Sequence, residues 1–182
     1  ENIKENMDDM LTYNWLSPPL CGDTMNVAKR ANEKVGEAEA GEIISKIDKG
    51  AVWVNFFGHG APQVFDMDGW DSYKLNNKSK YSFFTTISCN TGAFAEPQGK
   101  ARNEDYLTIP EKGFIATGGS TNVGVVLPGL QIMTFMLEIL SDTNLIQRTF
   151  GEILQNAKIQ MIDDDLLTKS LAQQYVLLGD PL

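Results

Sequence analysis

The sequence has little histidine, little cysteine and no long apolar run, and each shortage excludes a class of protein. It holds one histidine and two cysteines in 182 residues. Cys21 and Cys89 are too few for a disulfide framework, and His59 is the only imidazole available for catalysis. No run approaches the roughly 20 apolar residues that cross a bilayer. The sequence therefore predicts no transmembrane segment in this chain.

Basic residues are also scarce, since 15 Lys and Arg stand against 24 Asp and Glu, a formal net charge of −9. A nucleic-acid surface needs clustered positive charge, and no basic stripe is present, so we expect no nucleic-acid partner. The acidity is typical of a solubility feature. The hydrophobic content of 42% is enough for one domain with a sizeable core.

The chain begins at Glu1 instead of Met, and no charged and then apolar leader follows. We therefore expect a processed or excised piece of a longer protein, with any targeting signal outside it.

Three apolar runs end abruptly in small or reactive residues. Residues 51–57 lead into Gly-His59-Gly, residues 81–88 lead into Cys89, and residues 113–117 lead into Gly-Gly-Ser-Thr-Asn. Runs of this kind are typical of strands buried on both faces of a parallel sheet. The remaining pattern predicts helices over 37–48, 128–140, 150–162 and 163–174, helical stretches within 1–20 and 26–35, and a last strand over 175–178. This order indicates an α/β fold with a mostly parallel sheet.

The ends of the first two runs carry a complete nucleophilic pair. If the strands are parallel neighbours, His59 and Cys89 project from the same edge of the sheet, where open α/β sheets bind their ligands. A thiolate is the competent nucleophile, and an adjacent imidazole takes its proton and later protonates the leaving amine. Gly60 lets the backbone turn sharply after His59. The N–H groups of Gly60 and Cys89 are then candidates for an oxyanion hole.

Each half of this pair has a simpler interpretation. A single cysteine after a strand is more often a small buried residue than a nucleophile, and a histidine between glycines can be a turn residue. Only their joint occurrence after two apolar runs, with Gly60 in place, favours catalysis by Cys89 and His59.

Candidate substrate-binding residues lie beside the strand ends. Phe57 and Ile87 each precede a dyad residue by two positions, so each projects to the same side of the sheet as the dyad residue that follows it. The alternative is that both belong to the core. Ser120, Thr121 and Asn122 follow the third run and could wall the primary specificity pocket, or simply form a polar turn.

The chemistry requires no cofactor, but one acidic loop is compatible with a structural calcium ion. Asp66, Asp68 and Asp71 cluster hard oxygen ligands of the kind that calcium prefers. Their spacing fits no EF-hand loop, so calcium is the lesser interpretation. Asp163 to Asp165 are better explained as helix caps.

Four separated blocks carry a family resemblance. They are Asn55-Phe-Phe-Gly-His-Gly60, Ile87-Ser-Cys-Asn-Thr-Gly-Ala-Phe94, Lys112-Gly-Phe-Ile-Ala-Thr-Gly-Gly119 and Leu177-Leu-Gly-Asp-Pro181. In this order they resemble the gingipain family of the caspase-like clan of cysteine peptidases. The resemblance covers residues 37–182, and residues 1–36 remain an unassigned helical or irregular segment.

The resemblance implies a caspase-like three-layer α/β/α fold and a cysteine endopeptidase that acts on protein or peptide substrates through a thioester. It also implies a secreted or bacterial cell-surface location. The block at 55–60 is similar to the sortase-like peptidase of the type IX secretion system, which removes C-terminal signals from exported proteins by transpeptidation. That likeness makes secretion-system components candidate partners.

One departure from the family pattern and two rival interpretations remain. Family domains usually begin with a further α/β portion before the His-Gly strand, and too little chain precedes His59 to supply it. We therefore expect an incomplete catalytic unit. Residues 88–92 also resemble caspase-fold proteases of the CHAT or separase kind, although the ending at 177–181 does not. The remaining rival is a non-catalytic, secretion-associated scaffold domain.

Overall fold

The computed structural model describes residue 22 and residues 37–66, 70–142, 149–162 and 165–181. The helical stretches predicted within 1–20 and 26–35 lie outside these residues. The described chain forms two compact units. One contains residues 37–66, 70–124 and 174–181, and the other contains residues 125–142, 149–162 and 165–173.

The first unit is built on a four-stranded mixed sheet. The elements of this unit are α1 (Glu37–Lys49), β1 (Trp53–Phe57), β2 (Gly60–Ala61), β3 (Val64–Phe65), a 3₁₀ turn (Ser72–Lys74), β4 (Ser82–Ile87), α2 (Arg102–Thr108), β5 (Phe114–Ser120) and β6 (Tyr175–Gly179). The strand order in the sheet is β1-β4-β5-β6, in which β1, β4 and β5 are parallel and β6 is antiparallel to β5. This confirms the predicted α/β fold with a mostly parallel sheet.

Helix α1 forms where the sequence places an apolar face. Ile43, Ile44 and Ile47 lie on that face and pack into the core of the first unit. Lys46 and Lys49 in the last turn complement the negative end of the helix dipole. Gly50 then ends the helix in the left-handed region, at φ 104°.

An aromatic cluster forms the centre of this core. Phe65 lies 4.4 Å from Phe56 and 5.2 Å from Trp70 between ring centroids, and Phe84 and Tyr106 pack against the same group. Burial raises the pKa of Tyr106 far above its usual range, with a smaller opposing effect from nearby Arg102. The phenol therefore stays neutral and donates a 2.7 Å hydrogen bond to the Trp70 carbonyl.

The connection between β1 and β4 contains a feature that the sequence analysis did not predict. After β1 the chain turns back in a hairpin of β2 and β3. Phe65 of β3 belongs to the aromatic cluster. Burial of this one ring fixes a pair of strands that is too short to carry any periodic signal.

The second unit is helical. It contains α3 (Val126–Ser141), α4 (Phe150–Met161) and most of α5 (Leu166–Gln174). Helix α3 begins two residues before Pro128, which lies in the first turn where a missing N–H costs nothing. Asp165 caps α5, as predicted, because its carboxylate accepts the N–H groups of Leu167 and Thr168 at 3.1 Å each. Among the described residues, no helix is long and apolar enough to cross a membrane.

Candidate active site

The strand register brings the two predicted dyad residues to the same edge of the sheet. Phe57 at the end of β1 pairs with Ile87 at the end of β4, and the Gly58 N–H extends this ladder to the Ile87 carbonyl at 3.2 Å. His59 and Cys89 each follow two residues later. His59 is exposed, and Cys89 is a free, partly exposed thiol.

The hairpin after β1 orients the backbone at Gly60. Gly60 pairs with Phe65, and on the next rung outward the Asp66 N–H donates to the His59 carbonyl at 3.0 Å. Hydrogen-bonded and non-bonded pairs alternate along an antiparallel ladder. The N–H of Gly60 therefore points away from β3, as an oxyanion donor requires.

Gly60 also explains how closely the two loops approach. A Cβ added at Gly60 would overlap the Oγ of Ser88 and would lie 3.1 Å from the Val64 carbonyl oxygen and 3.3 Å from Thr91 Cγ2. Ser88 is buried, and its Oγ has no hydrogen-bond partner among the residues that the structure describes. The missing side chain at Gly60 thus makes room for the residue next to Cys89.

The chain turns sharply after Cys89 because Asn90 adopts a left-handed conformation, at φ 57°. Asparagine tolerates this region better than other residues with a side chain, apart from aspartate. Two hydrogen bonds then tie this loop to the end of β5: Asn90 N–H to the Asn122 carbonyl and Gly92 N–H to the Ser120 carbonyl, each 2.9 Å. Within the described part of the chain, the N–H of Cys89 has no backbone acceptor.

The predicted substrate-binding residues occupy different environments. Phe57 is partly buried and Ile87 is 9% exposed, side by side on neighbouring strands. Ser120 is buried in the sheet, and the hydroxyl of Thr121 donates to the Gln174 carbonyl at 3.0 Å, which joins β5 to the start of β6. Asn122 is exposed, and its backbone contacts the Cys89 loop. Asn122 is therefore the member of the β5 turn best placed to meet a substrate.

A buried polar network behind the Cys89 loop was not predicted. The hydroxyls of Thr86 and Thr91 lie 2.6 Å apart, and the Thr86 hydroxyl also lies 3.2 Å from the Gly118 carbonyl. Asn103 on α2 is fully buried, and its N–H donates to the Thr91 carbonyl at 3.0 Å. Thr85 and Thr86 stand side by side in the sequence of β4, and this pattern does not predict the network, because the network joins residues from separate elements.

One carboxylate of the acidic loop that suggested calcium is paired with an arginine of the protein. Asp71 lies 3.5 Å from the guanidinium of Arg102, whose side chain is 14% exposed. Asp68 lies outside the described residues. Residues 37–66, 70–142, 149–162 and 165–181 contain no group of three or more potential ligands that could hold a metal, so calcium stays a prediction.

Comparison with known families bears directly on this arrangement. The sequence model of peptidase family C25 matches residues 5–182. The chain belongs to peptidase family C25. The match begins before residue 37, where the resemblance noted in the sequence begins. A search of curated protein sequences gave no significant match.

Solved structures share the fold of this C25 chain. It superposes on the Arg-specific cysteine proteinase gingipain R with a TM-score of 0.75, at 20% identity, over 99% of this chain and 41% of that one. A complex of the pro- and mature domains of RgpB from Porphyromonas gingivalis matches equally, at 20% identity and a TM-score of 0.75, over 98% of this chain and 42% of that one. These matches confirm the predicted caspase-like, gingipain-type fold. The C25 chain spans about two fifths of the length of each.

Proposed function

We propose that this C25 chain carries the catalytic dyad of a cysteine endopeptidase. Cys89 Sγ attacks the carbonyl carbon of a peptide bond, and its proton passes to His59. The imidazolium then protonates the leaving amine as the C–N bond breaks, which leaves an acyl thioester on Cys89. A water or amine acceptor attacks the thioester, gives its proton to His59 and frees the thiol.

The observation that carries this proposal is the paired ending of β1 and β4. Phe57 and Ile87 are register partners, and the residue after His59 packs against the residue before Cys89. Two loops held this closely support a mechanism in which the His59 imidazole and the Cys89 thiol act on one substrate carbonyl. The N–H of Gly60 points away from its hairpin partner, and the N–H of Cys89 has no backbone acceptor among the described residues. Both donors fit the developing oxyanion.

The finer parts of the proposal rest on the resemblance of residues 55–60 and 88–92. We propose a gingipain-type enzyme of the bacterial surface or exterior that acts on protein substrates, with Phe57, Ile87 and Asn122 beside the cleaved bond. An amine acceptor in place of water would make the same thioester a transpeptidation intermediate, as in the sortase-like peptidase of type IX secretion. Adding a peptide amine to the cleavage assay and measuring the ligated product separates the two outcomes.

Active-site-directed labelling tests the proposal. A panel of peptidyl acyloxymethyl ketones that differ in the residue next to the ketone is expected to modify the folded chain at Cys89, as located by peptide mapping. Alkylation by these reagents needs a thiolate and a fitted carbonyl site, so the His59→Ala variant should lose the modification.

The chain offers a matched control at its other cysteine. Cys21→Ser should label as the wild type does. Equal labelling of Cys89 in wild type and His59→Ala would contradict a dyad. Absence of labelling by the whole panel would favour the non-catalytic scaffold.

A further inference from the structure

The loops that carry His59 and Cys89 are held by the same short segment of chain. The N–H of Arg102 donates to the carbonyl of Pro62 at the tip of the His59 hairpin at 2.5 Å. The N–H of the next residue, Asn103, donates to the carbonyl of Thr91 in the Cys89 loop at 3.0 Å. Consecutive peptide groups thus reach two loops that are distant in sequence.

These two N–H groups are available to the loops because they lie in the first turn of α2. The first four N–H groups of a helix have no partner within it, and α2 begins at Arg102 after Ala101. Ala101 is fully buried, and its own N–H donates to Glu104 Oε2 at 2.9 Å. This bond joins the residue before the two donors to the residue after them, and so it fixes the start of the helix.

Side chains reinforce each connection. Gln63 Nε2 donates to the Gln98 carbonyl at 3.1 Å, a second link between the hairpin tip and the segment before α2. The guanidinium of Arg102 lies 5.8 Å from the Phe65 ring centroid of the same hairpin. On the other side, Asn103 Nδ2 lies 3.5 Å from the Thr86 hydroxyl, which in turn contacts Thr91.

We propose that residues 101–103 are a positioning segment that sets the separation of the His59 and Cys89 loops through the adjacent N–H groups of Arg102 and Asn103. The catalytic part of this inference rests on the proposed dyad, whereas the holding of the loops does not. Rates of acyl transfer fall steeply when reacting groups are misplaced by about 1 Å. A rigid connection between the loops is thus expected to matter for kcat, while the proposed substrate contacts at Phe57, Ile87 and Asn122 lie outside residues 101–103.

A proline substitution removes one donor with little change to the helix. Arg102 is the first helical residue, where proline is well tolerated, and Ala101 has the extended conformation, φ −66° and ψ 159°, that a residue before proline prefers. Arg102→Pro loses the N–H and the side chain, whereas Arg102→Ala loses the side chain alone. The proline ring would also place its Cδ against the Pro62 carbonyl oxygen, so the difference between the two variants reports the loss of the whole contact with Pro62, hydrogen bond and spacing together.

Amide hydrogen exchange of the full chain, followed by mass spectrometry, measures how firmly the His59 hairpin is held. We expect residues 58–66 to exchange about threefold to tenfold faster in Arg102→Pro than in Arg102→Ala. If the enzyme turns over, kcat should fall about tenfold or more between the same two variants, with KM nearly unchanged. Equal exchange in the two variants would overturn the proposal, and so would faster exchange with an equal kcat.

A second variant covers the case in which Arg102→Pro does not fold. Gln63 is exposed, so Gln63→Ala is not expected to impair folding, and it removes a side-chain hydrogen bond between the hairpin and the segment that leads into residues 101–103. Faster exchange of residues 60–65 in Gln63→Ala supports the positioning segment, and unchanged exchange contradicts it. A wild type that cleaves no peptide would defeat the proposed enzyme, yet the exchange rates would still decide whether this segment holds the loops.

Discussion

Cys89→Ala and His59→Ala are each expected to lower kcat for peptide cleavage by about 10³-fold or more. The first removes the proposed nucleophile, and the second removes the only imidazole in the chain. When residues act together as one catalytic unit, removal of any one of them abolishes most of the enzyme's rate enhancement. The measurement is steady-state cleavage of a peptide substrate selected from a library.

The double variant distinguishes a dyad from two independent contributions. Because the two side chains act in one proton transfer, Cys89→Ala/His59→Ala should be no slower than the slower single variant. Cys21→Ser is the matched control and should retain wild-type turnover. A His59→Ala enzyme with undiminished kcat would refute the assignment of the base.

Gly60→Ala is expected to lower kcat/KM by about 100-fold, although alanine keeps the backbone N–H. The added Cβ would overlap Ser88 Oγ and crowd the Val64 carbonyl oxygen at 3.1 Å. Because the added Cβ meets buried Ser88 and Thr91, which flank Cys89, we expect the His59 hairpin to move away from the Cys89 loop. Misplacement of reacting groups by about 1 Å has a large effect on catalysis. Cleavage kinetics and the thermal midpoint of unfolding measured together separate lost geometry from lost folding.

Ser88→Ala provides the rescue that this explanation requires. Its hydroxyl is buried and has no partner in the described part of the chain, so its removal alone should change stability little. In Gly60→Ala/Ser88→Ala the main overlap is gone, and we expect recovery of about tenfold in kcat/KM, limited by the remaining contact with Val64. A double variant as impaired as Gly60→Ala would show that the clash with Ser88 is not the cause.

The placement of His59 and Cys89 at one edge of the sheet could be predicted from the sequence, because the patterns that indicate it lie within short stretches of chain. Nearly continuous apolar runs ending at His59 and Cys89 indicate buried parallel strands, and parallel strands place their carboxyl ends at a shared edge. The observed register of Phe57 with Ile87 follows that expectation. The C25 match and the gingipain-type fold agree with the resemblance read from four short blocks.

What the sequence did not predict depends on contacts between residues far apart in the chain. The bond from Arg102 to Pro62 and the packing of Ser88 against Gly60 leave no periodic pattern in the sequence. The turn after β5 shows the same limit. The sequence Ser-Thr-Asn offers three polar side chains to a pocket, yet burial and the bond to Gln174 engage Ser120 and Thr121 within the fold.

An acid-quenched single turnover tests the dyad most directly. Enzyme in excess of a peptide substrate is quenched within the first turnover, digested and analysed by mass spectrometry. The account predicts that the acyl half of the substrate is found on Cys89 in the wild type and is absent in His59→Ala. Cleavage that proceeds at the wild-type rate in Cys89→Ala, or an acyl group carried by any other residue, would contradict it.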